Sequence, residues 1–163
     1  MKAFLLVLAT GLLCWTQTAD GRSGRRRRGV LNLGSVVSCY TGKSVWDVFI
    51  NYNGYGCYCG FGGKGTPLDE IDTCCSEHDQ CYEAAIDCGE CPGTMAYTVS
   101  PRYNSRNCGT AKTSVTCKQA KTYSDKRTGR CAEKICECDV TFAECLLDKQ
   151  VDPRYRNHDR STC

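Results

Sequence analysis

The sequence has no apolar run long enough to span a membrane. Its longest, Ala3 to Leu13, falls well short of the roughly 20 residues a transmembrane helix needs. There is no Asn-x-Ser/Thr triplet, which excludes N-linked glycosylation. There is no G-x-S-x-G, which removes the strand–turn–helix serine nucleophile. No segment repeats internally, which argues against a solenoid. A basic excess is also missing where it would matter. The whole chain carries 21 Lys and Arg against 18 Asp and Glu, net +3. Lys2, Arg22 and Arg25 to Arg28 all precede Gly29, as does Asp20, and without them 15 basic and 17 acidic residues remain, net −2. A nucleic-acid partner therefore has no electrostatic footing.

What the chain does have is cysteine: 16 in 163 residues, the density of a disulfide scaffold. The alternative is a zinc site built from Cys57, Cys59, Cys74 and Cys75. Compartment decides between them. Residues 1–21 read as a signal peptide, with Lys2 as n-region, Ala3 to Leu13 as h-region, and small residues at Ala19 and Gly21 for cleavage. A buried N-terminal helix is the other reading, and it fits poorly with the basic run that follows. An exported chain is oxidised, and that disfavours zinc. Residues 22–28 read as a propeptide. Arg25 to Arg28 suit a nucleic-acid or heparin patch, but just before Gly29-Val30-Leu31 they look more like a convertase cleavage site. The mature chain would be residues 29–163, one domain with a modest core and 15 cysteines, an odd number.

Along that chain, Val30 to Tyr40 is weakly helical and Thr41 to Asn53 reads as a loop. Leu68 to Ile86 reads as a helix, with Pro67 near its start and Asp69, Glu70 and Asp72 at its positive end. Ile71, Cys74, Cys75, His78, Cys81, Tyr82 and Ala85 share one face. A second helix fits Ala132 to Leu147, with Ile135, Cys138, Asp139, Phe142, Cys145 and Leu146 together. Cys74 and Cys81 are seven apart, as are Cys138 and Cys145, a spacing of ~10.5 Å along a helix. Two antiparallel helices can bridge Cys74 to Cys145 and Cys81 to Cys138, bringing His78 near Asp139. Spacing alone leaves the other connectivities open. Thr113 to Thr116 has strand propensity. Residues 101–134 hold nine basic and two acidic side chains, while residues 47–90 hold one and nine, so the molecule is dipolar.

Tyr55 to Tyr82 carries the chemistry. Six of the twelve residues from Gly54 to Gly65 are glycine, so the backbone there can approach a ligand closely. Backbone carbonyls beside the Asp79 carboxylate suit a hard cation such as calcium. The neighbouring His78 suits a general base. The order YGCYCGxGGxG from Tyr55, then CCxxHDxCY from Cys74, resembles secreted phospholipase A2, and the resemblance extends from about Asn32 to Cys163.

That resemblance implies a mainly α, disulfide-rich fold: two long antiparallel helices, a short N-terminal helix, a calcium-binding loop and a two-stranded β-wing. It implies the pairs Cys39–Cys108, Cys57–Cys163, Cys59–Cys75, Cys74–Cys145, Cys81–Cys138 and Cys117–Cys136, with Cys131 joined to Cys91 or Cys88. The remaining one of Cys88 and Cys91 would be a free thiol or a dimer bridge. It implies hydrolysis of the sn-2 acyl ester of glycerophospholipids at a membrane or micelle surface. His78 would activate water, Asp139 would orient His78, and Tyr82 with Tyr103 or Tyr97 would hold Asp139. Calcium would sit on Asp79 and the carbonyls of Tyr58, Gly60 and Gly62, with the Gly60 N–H assisting at the oxyanion. Some relatives carry lysine at the position of Asp79 and lose calcium and catalysis. The alternative is a non-catalytic toxin-like or receptor-binding module on the same scaffold.

Overall fold

The computed structural model describes residues 27–163. The expected signal peptide and the first two arginines of the run, Arg25 and Arg26, lie outside them. Five α-helices and a two-stranded antiparallel sheet are present among the described residues, with three short 3₁₀ turns. Helix α1, Arg27–Thr41, turns Val36, Val37 and Tyr40 into the core, an i, i+1, i+4 pattern. Helix α2, Val45–Tyr52, occupies what reads from sequence as a loop. Its start is set by Ser44, whose hydroxyl accepts the Asp47 N–H and donates to the Asp47 carboxylate. The helix buries Val48 and Tyr52 one turn apart and leaves Trp46, Phe49 and Ile50 exposed.

Helix α3, Glu70–Asp87, begins where the Asp69 side chain accepts the Asp72 N–H. Helix α4, Met95–Thr98, is a single turn. Strands β1, Tyr103–Arg106, and β2, Ser114–Cys117, form the wing in the register Tyr103↔Cys117 to Arg106↔Ser114. Helix α5, Lys126–Cys145, starts six residues before the sequence expectation. The Asp125 carboxylate caps it at 2.6 Å from the Thr128 N–H. Gly129 in its first turns hides the periodicity but has a packing reason. A Cβ there would lie 2.4 Å from the Ala120 carbonyl oxygen.

Two bridges, Cys74–Cys145 and Cys81–Cys138, lock α3 and α5 antiparallel. Cys39–Cys108, Cys57–Cys163, Cys59–Cys75, Cys91–Cys131 and Cys117–Cys136 complete seven described pairs, the arrangement the resemblance implies. Cys91 is therefore committed to Cys131. Cys88 is disulfide-bonded as well, and no described cysteine is a free thiol. The core has two centres that α3 and α5 both serve. One joins Val36, Tyr40, Val48, Tyr52, Ile71 and Phe142; the other joins Tyr82, Ala85, Ala96, Val99 and Ile135. No helix among the described residues is long and apolar enough to cross a membrane.

Candidate active site

The bridged pair of helices sets the geometry at His78. His78 lies midway between Cys74 and Cys81 on α3, and Asp139 follows Cys138 on α5. His78 Nε2 stands 3.0 Å from Asp139 Oδ1, and the Asp139 side chain is only 1% exposed. The Tyr82 hydroxyl, one turn beyond His78, donates to the same oxygen at 2.7 Å. The His78 ring packs between Tyr82 and Phe142, with centroids at 4.5 and 4.7 Å. That leaves Nδ1 with no hydrogen-bond partner among the described residues. Burial, and then the Asp139 charge, raise the Tyr82 phenol well above its ordinary value, so it stays a donor.

Tyr103 is not brought to this group, contrary to the sequence expectation. It opens β1, packs against the first core cluster and makes no side-chain hydrogen bond among the described residues. Its register partner Cys117 is bridged to Cys136 on α5, which pins the wing beside the helix rather than over Asp139. The other candidate, Tyr97 on α4, packs its ring tilted against Tyr82 at 5.7 Å. Exposed Phe61 meets Tyr97 edge-on at 6.3 Å. A line of rings thus runs from the surface through Phe61, Tyr97 and Tyr82 to His78.

The glycine loop is shaped from below by a residue that spacing did not single out. Asp72 is fully buried and accepts three backbone N–H groups: Cys57 at 2.8 Å, Tyr58 at 2.7 Å and Leu68 at 2.9 Å. These bonds satisfy the buried carboxylate and bend the loop onto the start of α3. Only glycine fits beside it. Gly56 has φ +56°, and a Cβ there would lie 2.3 Å from the Asp72 carboxyl carbon. The only sequence signal for Asp72 is its i+3 spacing from the capping Asp69. Nothing in the sequence shows where the loop N–H groups point.

Asp79 reaches the same loop from α3. A Cβ on Gly63 would lie 2.9 Å from Asp79 Oδ2. Burial pushes the Asp79 carboxyl up to about 6; His78 opposes this, Glu83 adds to it and Arg160 opposes it. No described group donates a hydrogen bond to the carbonyls of Tyr58, Gly60 or Gly62, or accepts one from the Gly60 N–H. Three unclaimed carbonyl oxygens and a carboxylate held at a cost to its charge are the donor set a hard, oxygen-seeking cation fits. Calcium therefore fits these residues.

Residues 30–156 match the profile of the family described as phospholipase A2. The chain belongs to the phospholipase A2 family. Among curated relatives, a basic phospholipase A2 of Micrurus corallinus is 38% identical over 162 residues, covering 99% of this chain and 97% of its own. A phospholipase A2 of Acanthaster planci is 37% identical over 148 residues, covering 90% and 89%. A phospholipase A2 of Bos taurus is 30% identical over 159 residues, covering 98% and 99%. The phospholipase A2 match takes in α1 from Val30, the glycine loop and both bridged helices, so every element that forms the candidate site lies inside it.

Proposed function

We propose that this protein is a secreted, calcium-dependent phospholipase A2, trimmed after Arg28. It would hydrolyse the sn-2 acyl ester of glycerophospholipids to a fatty acid and a lysophospholipid. The observation that carries the reading is His78, held through Nε2 by buried Asp139 with Nδ1 unengaged, beside a loop of unclaimed carbonyls. His78 Nδ1 takes the proton of the water that attacks the sn-2 carbonyl carbon, and returns it to the departing glycerol oxygen as the acyl C–O bond breaks. Asp139 fixes the tautomer and steadies the imidazolium that forms. Tyr82 keeps Asp139 in place without competing for the proton. The Gly60 N–H donates to the developing oxyanion, and such a donor is typically worth ~10²–10³ in rate. Calcium on Asp79, Tyr58, Gly60 and Gly62, when bound, supplies Lewis-acid neutralisation of phosphate and oxyanion. The rings of Phe61, Tyr97 and Tyr82 offer an acyl chain an apolar path to His78. Secretion accords with the seven described disulfides, which persist in an oxidising compartment.

The test is fatty-acid and lysophospholipid release from phosphatidylglycerol vesicles by residues 29–163, with calcium and with a chelator. Release that stops with chelator and returns with calcium is expected. Absence of release with calcium, or release indifferent to chelator, overturns the reading.

A further inference from the structure

The segment after α5 returns across the outer side of the glycine loop. The Gly56 N–H donates to the Tyr155 carbonyl at 2.9 Å, the His158 N–H donates to the Gly54 carbonyl at 3.2 Å, and Cys57–Cys163 closes the strap. At its centre, Arg160 reaches the loop with two prongs. Nη1 donates to the Phe61 carbonyl at 2.7 Å and Nη2 to the Cys59 carbonyl at 2.8 Å. Gly60, between them, has φ +129°, and a Cβ there would sit 3.0 Å from Nη2.

Cys59 and Phe61 interleave with Tyr58, Gly60 and Gly62, whose carbonyls no described group engages. Peptide planes are rigid, so holding alternate carbonyls to one side constrains the planes between them. A planar guanidinium spans two such acceptors at once, which a lysine ammonium cannot do with fixed geometry.

We propose that Arg160 is a positioning residue for calcium: its fork ties the Phe61 carbonyl to that of Cys59, which the Gly54 N–H also holds at 2.8 Å, and so pre-orders the carbonyls of Tyr58, Gly60 and Gly62 for the ion. The inference rests on reading the loop as a calcium site. Arg160 acts on calcium with two opposite signs. Its charge repels the ion, and its fork raises the fraction of loop already competent to bind. Apparent affinity scales with that fraction, so a tenfold fall in it weakens binding tenfold. The fork outweighs the charge, because the guanidinium is already engaged by the carbonyls of Cys59 and Phe61.

The experiment uses residues 29–163 as wild type, Arg160→Gln and Arg160→Lys. Calcium affinity is read by titration calorimetry, amide exchange of residues 58–63 without calcium, thermal midpoint by circular dichroism, and vesicle hydrolysis at saturating calcium. Expected are calcium binding about tenfold weaker in both variants, faster exchange at 60–63, an unchanged midpoint, and a rate that recovers at saturating calcium. Wild-type or tighter affinity in Arg160→Gln overturns the proposal, because charge would then decide. Wild-type affinity in Arg160→Lys overturns the fork. A lowered midpoint with a rate that stays low at saturating calcium overturns it in favour of a general fold contact. If wild type itself binds no calcium, the calcium reading fails, and this role with it, before any variant is compared.

Discussion

His78 and Asp79 are chain neighbours on α3 that face different partners. His78 meets Asp139 across the helix pair, while Asp79 meets the glycine loop. Replacing each should therefore separate the two functions. His78→Gln is expected to lower turnover by at least the ~10²–10⁴ that a general base contributes. Calcium affinity should stay near 10⁻⁴–10⁻³ M, the usual range of extracellular sites. Hydrolysis assays beside calcium calorimetry check this, and a near-normal rate would remove His78 from the mechanism. Asp79 predicts a pH dependence. Burial raises its carboxyl from 3.8 to about 6, so the folded chain holds the proton more tightly than the unfolded one. The cost of charging Asp79 is full above about pH 6 and fades as pH falls toward its unfolded value of 3.8. Without calcium, the thermal midpoint of wild type relative to Asp79→Asn should rise between pH 7 and pH 5. Calcium affinity should fall over the same interval, as protons compete for the carboxylate. A flat difference between wild type and Asp79→Asn would mean that Asp79 titrates as an exposed acid.

The helices separate what periodicity shows from what it hides. The core faces of α3 and α5 are legible in sequence, because cysteines seven apart and apolar residues at helical spacing repeat on one side. The early start of α5 is not, because Gly129 and the basic residues Lys126, Arg127 and Arg130 mask a cap at Asp125 that only the capping bond reveals. Helix α2 was hidden for another reason: it is only eight residues long, and Asp47 and Asn51 are its whole polar side among apolar neighbours. Trp46 is 69% exposed and stacks on Phe49 at 6.0 Å, on the outside of a short capped helix. Such a patch suits insertion at a lipid surface. Trp46→Ala is expected to weaken adsorption to zwitterionic vesicles about tenfold, from the apolar area withdrawn, and to leave hydrolysis of dispersed monomeric substrate unchanged. Charge reversal at Lys118, Lys121 and Lys126 should act on anionic vesicles alone, by about 2 kcal/mol per residue at most, since each reversal removes one attraction and adds one repulsion of about 1 kcal/mol. Vesicle sedimentation on both lipids tells the two surfaces apart. Equal adsorption of Trp46→Ala and wild type would leave α2 without a lipid role.

At the scale of the whole molecule, the proposed trimming after Arg28 carries a prediction about activation. Helix α1 runs from Arg27 without a break, so the bond after Arg28 lies in its first turn. Helix ends fray, and a convertase needs only that turn opened. Gly29 presses on α4: a Cβ there would lie 2.9 Å from the Tyr97 carbonyl oxygen, and Tyr97 belongs to the ring line leading to His78. A new amino terminus at Gly29 would arise beside that carbonyl. The form that retains Arg28 is expected to bind calcium and to hydrolyse monomeric substrate, but to act poorly on micelles. Trimming should restore the micellar rate without altering the monomeric one. Replacing Arg25 to Arg28 with alanine, verifying the retained extension by N-terminal sequencing, and comparing the two rates checks this. Equal micellar rates would mean that the arginines serve processing alone.

The sequence by itself determined the family resemblance, which implied the mainly helical class and the bridges between the two long helices, and its cysteine spacing allowed His78 to meet Asp139. Those features rest on chemistry repeated along the chain at helical or motif spacing, and periodicity survives without coordinates. Tertiary structure alone decided the contacts of Asp72, Arg160, Tyr97 and Tyr103. Each depends on segments that meet only after folding. Cys57 and Cys163 are separated by 106 residues, yet their bridge lays Arg160 across the glycine loop. Tyr103 falls away from Asp139 because the wing's anchor to α5, not its distance along the chain, sets its position. Local spacing records which groups can share a face of one element. The direction of a backbone carbonyl, and the side chain that comes to hold it, are set by the packing of distant segments.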